Sequence, residues 1–485
     1  MTMRSHVSEE PDSPVFCRRV AVADRSDAAE LHRLGVVAGR RGDFAESARL
    51  LSRALELRPG DAEIHNDLGV TLEQSGELGR AAACYRAALR LRPNFHQVWN
   101  NLANALLHNG DAAGALEACE RAIGLEPKYG PAHNTRGAAL LDLGRVAEAL
   151  EEYRRAIALR PDHAEAHANY GMALLLSGDL QNGWKEYEWR LKLPSGPLKR
   201  SGPLWEGSDP FGRTLLLWGE GGLGNVIQFA RYASAMAEVG VRVVLECQRE
   251  LVPLLKTVPG VWKCIAHGEE AKECDGHCPL ASLPGVLGAR LATVPANVPY
   301  VRAEPQRIER WGDIVRRGGA ETRGRGDKTK LVGVCWKGSQ KVVQLRGRSF
   351  DPMLLLPIAK LPGVRLINLQ HGEEPPGDLP MVTLPGLGPQ EMRLEDVAAV
   401  MQHLDLVITC DTSIAHLEGA LGVPAWVALR HSSDWRWMMD REDSPWYPSM
   451  RLFRQERPNE WSPLFARMAS AIGDARPCHK IATIK

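Results

Sequence analysis

No stretch of the 485-residue chain approaches the roughly 18 consecutive apolar residues of a membrane-crossing helix, so no span is expected. Net charge is almost absent: 60 basic and 59 acidic side chains leave a formal +1. Proteins that coat nucleic acid carry a basic surplus, so nucleic acid is not an expected partner. The opening MTMRSHVSEEPDSPVF lacks the apolar core of a secretory signal. The ten cysteines are scattered and read as reduced thiols of a cytoplasmic protein. Zinc-type ligand pairs are missing as well. Cys264, Cys274, His277 and Cys278 do not fit paired C-x-x-C spacing, which favours core packing over a metal, and the second half holds no Asp-x-Asp pair. What remains is a chain that is 44% apolar, enough to bury cores. At roughly 150 residues per domain its length predicts about three of them.

The first third is periodic. Pro59, Pro93, Pro127 and Pro161 are 34 residues apart, and Gly35, Gly69, Gly137 and Gly171 keep the same step, with Ala103 in the vacant slot. Ala54, Ala88, Ala122 and Ala156 run in phase, each three residues after Leu51, Tyr85, Cys119 or Tyr153. Each unit reads as two helices. The small residue on the first lets the second approach, and the proline ends the unit because it cannot continue a helix. A fifth copy starts at Ala164 and degrades at Gly183, gaining Trp184 and Trp189, as a terminal repeat facing another domain would. Asn66, Asn100, Asn101, Asn134 and Asn169 recur near one place in the first helices. Amides in that phase offer donors and acceptors to an extended peptide. The expected partner of this surface is a protein or peptide; a repeat array that only supports the next domain is the alternative.

Beyond residue 197 the character changes. Ten of the thirteen tryptophans lie there, and 194–212 holds four prolines and four glycines. Short apolar runs then alternate with helical stretches, the pattern of parallel sheets with crossover helices. Strands are expected at 214–218, 241–247, 331–336, 364–369, 404–409 and 425–429, and helices at 226–239, near 250–257 and at 414–421. The expected organisation is a mobile tail over 1–27, repeats over 28–197, a linker over 198–210, a first α/β domain over 211–316, a connection over 317–329, a second α/β domain over 330–475 and a tail over 476–485.

Three places can carry chemistry. The turn Gly219–Asn225 (GEGGLGN) joins a strand to a helix, so its backbone N–H groups face a ligand. Gly219, Gly221 and Gly224 also satisfy G-x-G-x-x-G, with Glu246 positioned as a dinucleotide fold would place it, so an NAD-dependent oxidoreductase is a rival reading. Cys410-Asp411-Thr412-Ser413 ends a strand and opens a helix whose N-terminus favours a diphosphate, with His416 one turn in. Finally, 320–348 holds eight Lys/Arg and two Asp/Glu, and Lys337, Lys341, Arg346 and Arg348 follow a strand end where phosphate charge can be neutralised.

The 34-residue columns resemble the tetratricopeptide repeat. With GEGGLGNVIQFARY, HCPLASLP, GVCWKG, LDLVITCDTSIAHLEGALGVPAWVAL and DWRWMMDREDSPWYPSMRLFRQ, the chain resembles bacterial proteins that join such repeats to a glycosyltransferase related to the heptosyltransferases, and more distantly the O-linked N-acetylglucosamine transferases. The resemblance implies an α-helical tetratricopeptide solenoid followed by a GT-B fold of two Rossmann-like domains. It implies a nucleotide-diphosphate sugar as substrate, inversion, no cofactor and no required metal. Asp411, Thr412 and His416 match the donor motif, with Lys337 and Lys341 as phosphate contacts; Ser413 and the turn glycines Gly221, Gly222 and Gly224 are further candidate binding residues. One position departs. The family's glycine turn ends in aspartate, the expected general base, and here it ends in Asn225. An amide cannot take the acceptor proton at neutral pH. Asn225 can orient the hydroxyl, with Glu220 or His416 supplying the base, or the chain is a non-catalytic scaffold on a transferase fold.

Overall fold

In the computed structural model, residues 27–474 are described apart from 195, 197–199, 201, 272–273, 321–328, 339–346 and 389. The two tails, most of the 317–329 connection, part of the linker, Lys341 and Arg346 therefore lie outside the described residues. Two compact units divide at Ala166 and His167.

The first unit is a stack of antiparallel helix pairs: α1 (Ala28–Arg40) with α2 (Phe44–Leu57), α3 (Ala62–Gln74) with α4 (Leu78–Leu91), α5 (His96–His108) with α6 (Ala112–Leu125), and α7 (Gly130–Asp142) with α8 (Val146–Leu159). The glycine column does what its period predicts. A Cβ on Gly69 would lie 2.5 Å from the Tyr85 ring, and one on Gly137 2.7 Å from the Tyr153 ring. Where the column holds Ala103, the corresponding second-helix position is the small Cys119 instead of a tyrosine, which leaves room for the alanine methyl. A second column, unread in the sequence, turns each pair: Gly42, Gly76, Gly110 and Gly144 have φ of 84°, 85°, 86° and 75°. Only glycine enters that left-handed region without strain. Asp27, Asp43, Asp61 and Asp111 cap α1, α2, α3 and α6 by accepting backbone N–H bonds.

The second unit opens with α9 (Ala164–Ser177, which begins before the division), α10 (Leu180–Tyr187) and a 3-10 turn Glu188–Lys192. A four-stranded parallel sheet follows, in the order β3-β2-β1-β4, from β1 (Thr214–Trp218), β2 (Arg242–Cys247), β3 (Val261–Ala266) and β4 (Gly276–Pro279). Between β1 and β2 run α11 (Leu223–Ala230) and α12 (Tyr232–Glu238), where one helix over 226–239 was expected. The division falls at buried Arg231, whose Nε donates to the Gln228 carbonyl at 2.8 Å and so captures an acceptor the helical ladder would use. The six-stranded parallel sheet, β10-β9-β8-β5-β6-β7, comprises β5 (Lys330–Cys335), β6 (Val364–Asn368), β7 (Met381–Val382), β8 (Leu406–Cys410), β9 (Ala425–Leu429) and β10 (Met450–Arg454). Its helices include α13 (Pro305–Ala320), α14 (Leu394–Met401), α15 (Ser413–Leu421) and α16 (Ser462–Asp474). The central strands β1, β5, β8 and β9 are buried along almost their whole length because parallel sheets are covered on both faces. The fold class is thus the one expected, a helical repeat solenoid followed by α/β layers of the GT-B kind.

One local expectation changes, and the core packing expected of His277 and Cys278 holds. The presumed linker is pinned at Trp205, which is buried and donates its backbone N–H to the His277 carbonyl at 2.8 Å. His277 and Cys278 form strand β4, and His277 accepts from Trp218 Nε1 at 3.3 Å. The degraded repeat does face the following layers: Trp184 meets Phe229, Trp435 and Trp446 edge-on, at 6.2, 5.2 and 6.5 Å between ring centroids.

Candidate functional site

The two sheets meet through α11 and α15. Gly224, in the first turn of α11, lies so close to α15 that a Cβ would sit 2.6 Å from His416 Cδ2 and 3.4 Å from Ser413 Cα. Gly219 is needed by its own helix, since a Cβ there would sit 2.6 Å from Val226. Gly221 has a φ of 72°, and Gly222, at the N-cap of α11, has open space around it. So the turn's glycines serve packing and backbone shape as much as ligand approach. Helix α11 starts without a side-chain cap, while Thr412 caps α15 by accepting from the Ile414 N–H at 3.2 Å. The N-terminal ends of two helices therefore adjoin, and their partial positive charges favour an anion.

The loop after β5 comes to the same place. A Cβ on Gly338 would be 3.1 Å from Thr412 Cγ2, and the Gly338 N–H donates to Ser349 Oγ at 3.2 Å. Lys337 keeps a half-exposed ammonium 2.5 Å from Glu373. Arg348 contacts Asp411 at 2.9 Å and Asp434 at 3.5 Å. Arg436 then joins the halves: it donates to Asp434 at 2.8 Å, to Gln228 at 2.6 Å and to Asn225 Oδ1 at 2.7 Å. Burial works against the Asp434 charge, but Arg436 and Arg348 outweigh it and hold this carboxyl at about 2. Burial pushes Asp411 up, the negative Asp434 adds to that, and Arg348 opposes it.

The three residues considered for proton transfer are all engaged. Asn225 spends its amide oxygen on Arg436. Glu220 is clasped by Arg190, with Nη2–Oε1 at 2.6 Å and Nε–Oε1 at 3.2 Å, and Arg190 also donates to Ser282 at 2.7 Å. His416 is 4% exposed, shares a hydrogen bond of 3.0 Å with the Tyr447 hydroxyl and stacks on Trp437. Burial, then the nearby Arg436, hold its ring well below the usual histidine range, so it is neutral. His416 belongs to the interior of the junction, whereas a base must reach the acceptor hydroxyl. Glu246 is buried and paired with Arg200 at 2.8 Å and His267 at 3.2 Å, which leaves it badly placed to meet a ribose.

Sequence reasoning missed Arg436, Asp434, Arg190 and Gln370. Gln370 Oε1 accepts the Trp336 and Lys337 N–H groups at 3.1 and 2.8 Å and shapes the loop after β5. The repeated asparagines also divide. Asn101 donates to Asn66 at 3.0 Å and Asn66 to Asp67 at 3.1 Å, while Asn100 and Asn134 are buried.

Comparison with known proteins agrees with this architecture. Tetratricopeptide repeat profiles match residues 32–94, 72–129 and 137–178, and the glycosyltransferase family 9 (heptosyltransferase) profile matches 387–468. The chain therefore carries tetratricopeptide repeats and a glycosyltransferase family 9 domain, and the latter match contains β8, α15, β9 and β10. Among characterised proteins it is similar to FlbA of Caulobacter vibrioides, 28% identical over an alignment of 310 residues that covers 56% of this chain and 48% of FlbA. The chain thus spans about half the length of that relative. Similar solved structures include MamA (22% identity, 34% of this chain and 90% of that one, TM-score 0.30) and a thermophilic tetratricopeptide protein of Thermus thermophilus (24%, 35% and 92%, TM-score 0.32). Among the described residues no helix is long and apolar enough to cross a membrane.

Proposed function

We propose that this chain is a glycosyltransferase that moves a sugar from a nucleoside-diphosphate donor to a protein or glycan acceptor bound by the repeats. The observation that carries the donor half is the meeting of two helix N-termini at Gly224 and Ser413, with Arg348 paired to Asp411 at the start of α15 and the loop that bears Lys337 packed on Thr412 through Gly338. The reaction is a direct displacement with inversion. The acceptor oxygen forms a bond to the anomeric carbon as the bond to the diphosphate breaks. The departing charge is met by backbone N–H groups and basic side chains, an electrostatic term already in place before reaction. In this reading those groups do the work a divalent cation does elsewhere.

A second reading, binding of the nucleotide sugar without transfer, is favoured by one observation: Asn225 is an amide already bonded to Arg436. Thermal-shift measurements with UDP, GDP, ADP and NAD test donor binding. Stabilisation by a nucleoside diphosphate and not by NAD is expected; a response to NAD alone overturns the proposal. Transfer assays on wild type and Asn225→Asp separate the two readings. Transfer by the wild type establishes the enzyme, and the carboxylate is then expected to raise the rate by up to about 10²–10⁴-fold. Transfer by the variant alone establishes the binding protein.

A further inference from the structure

Cys247 and Cys264 lie on the neighbouring strands β2 and β3 with their sulfurs 3.7 Å apart. Cys247 is buried and Cys264 is partly exposed. The pair sits directly behind the glycine turn. The carbonyl of Glu246 accepts the Gly219 N–H at 2.8 Å, and the Gln248 side chain donates to the Gly221 carbonyl at 3.0 Å. The two residues flanking Cys247 thus hold both ends of Gly219–Gly221.

We propose that Cys247 and Cys264 form an oxidisable dithiol whose closure to a disulfide by peroxide moves the glycine turn. The hydrogen bond shared with Cys247 holds the Cys264 thiol below its ordinary range, and Lys256 assists while burial and Glu269 oppose. Cys264 is the partly exposed member of the pair and Cys247 the buried one, so peroxide reaches Cys264 first and it is the attacking sulfur. Its thiolate takes one oxygen of hydrogen peroxide, the O–O bond breaks, and the departing hydroxide is protonated to water, leaving a sulfenic acid. The Cys247 sulfur then attacks that sulfur, its proton leaves with the sulfenic oxygen, and a second water is released. In sum, two thiols and one peroxide give one disulfide and two waters. A disulfide bond is about 2.05 Å long, so the sulfurs must close by about 1.7 Å. That movement draws the end of β2 towards β3 and with it the two hydrogen bonds to the turn.

The test uses the full chain with stoichiometric peroxide, alkylation of the remaining thiols and tryptic mapping without reductant. The expected result is a fall of two from ten thiols and a peptide of residues 243–249 joined to 264–272. Hydrogen exchange at 219–225 should change on oxidation and revert with a dithiol reductant. Cys264→Ser, at the partly exposed position, and Cys247→Ser should each abolish both effects. A linkage that uses Cys274, oxidation of Cys264 without linkage, or linkage without altered exchange at the turn would each overturn the proposal. None of these readouts depends on whether the chain binds a nucleotide sugar.

Discussion

The repeats and the α/β unit both bury polar side chains, but they satisfy them in different ways. In the repeats the partners are local and lie on the same or the adjacent helix pair: Ser47 with Thr71 at 2.9 Å, and Glu152 with His133 at 2.7 Å, Arg136 at 3.1 Å and Arg155 at 2.7 Å. In the α/β unit the groups are chained, Asp411–Arg348–Asp434–Arg436–Asn225, and the last link crosses 211 residues of sequence. A stack of repeats spreads its stability over nearest-neighbour interfaces. A connected buried network stands or falls together, because each removed member strands a charge in a low-dielectric interior.

The largest test of that contrast is Arg436→Leu. It removes the partner of Asn225, Gln228 and Asp434 at once and should cost about 3–5 kcal/mol. Urea unfolding followed by tryptophan fluorescence, which mainly reports the α/β unit, should show the loss. Far-ultraviolet circular dichroism should show a helical phase that is little changed. Equal shifts in both phases would break the comparison.

The repeats should instead respond in pairs. Gly69→Ala pushes a methyl against the Tyr85 ring and should cost about 1–3 kcal/mol. Adding Tyr85→Cys recreates the natural Ala103–Cys119 combination and should recover part of that loss. A double-mutant cycle measures the coupling, and an additive result would mean that the two columns are not linked by volume.

An effect of similar size has the opposite sign. Glu418 on α15 is fully buried, and neither of its oxygens has a hydrogen-bond partner among the described residues. Burial raises its carboxyl well above the usual range. Glu418→Leu should therefore stabilise the fold, by about 1–3 kcal/mol. The pH dependence follows from the raised folded value. At low pH the carboxyl is protonated whether the chain is folded or unfolded. As pH rises past the ordinary carboxylate range, the unfolded chain ionises and the folded one does not. Wild-type stability then falls relative to the variant until the folded carboxyl also ionises. Denaturant midpoints measured from pH 4 to pH 8 should diverge in that direction.

Much of the fold was legible because it is written locally. The glycine, alanine and proline columns carried the repeats, and the apolar runs Thr214–Trp218 and Ala425–Leu429 coincide with β1 and β9. Strand β3 escaped because it is an edge strand with exposed Trp262 and Lys263, so its sequence shows no continuous apolar run. Strand β10 was read only as part of a family motif. At the candidate site the glycine turn and the CDTS helix start were visible as short motifs. Asp434 and Arg436 stood in the DWRW motif without a role and Arg190 in no motif, because an arginine's role depends on which distant acceptors surround it.

The sequence by itself determined the order of a repeat solenoid and an α/β region, the glycine positions where backbones and helices approach, and the presence of an amide at 225 where the resembling family has a carboxylate. Tertiary structure alone decided what that amide does. Folding brings Arg436 within 2.7 Å of Asn225, clasps Glu220 with Arg190 and seals His416 beneath Tyr447. Composition fixes which groups exist; only packing fixes which of them lose water and which partner replaces it.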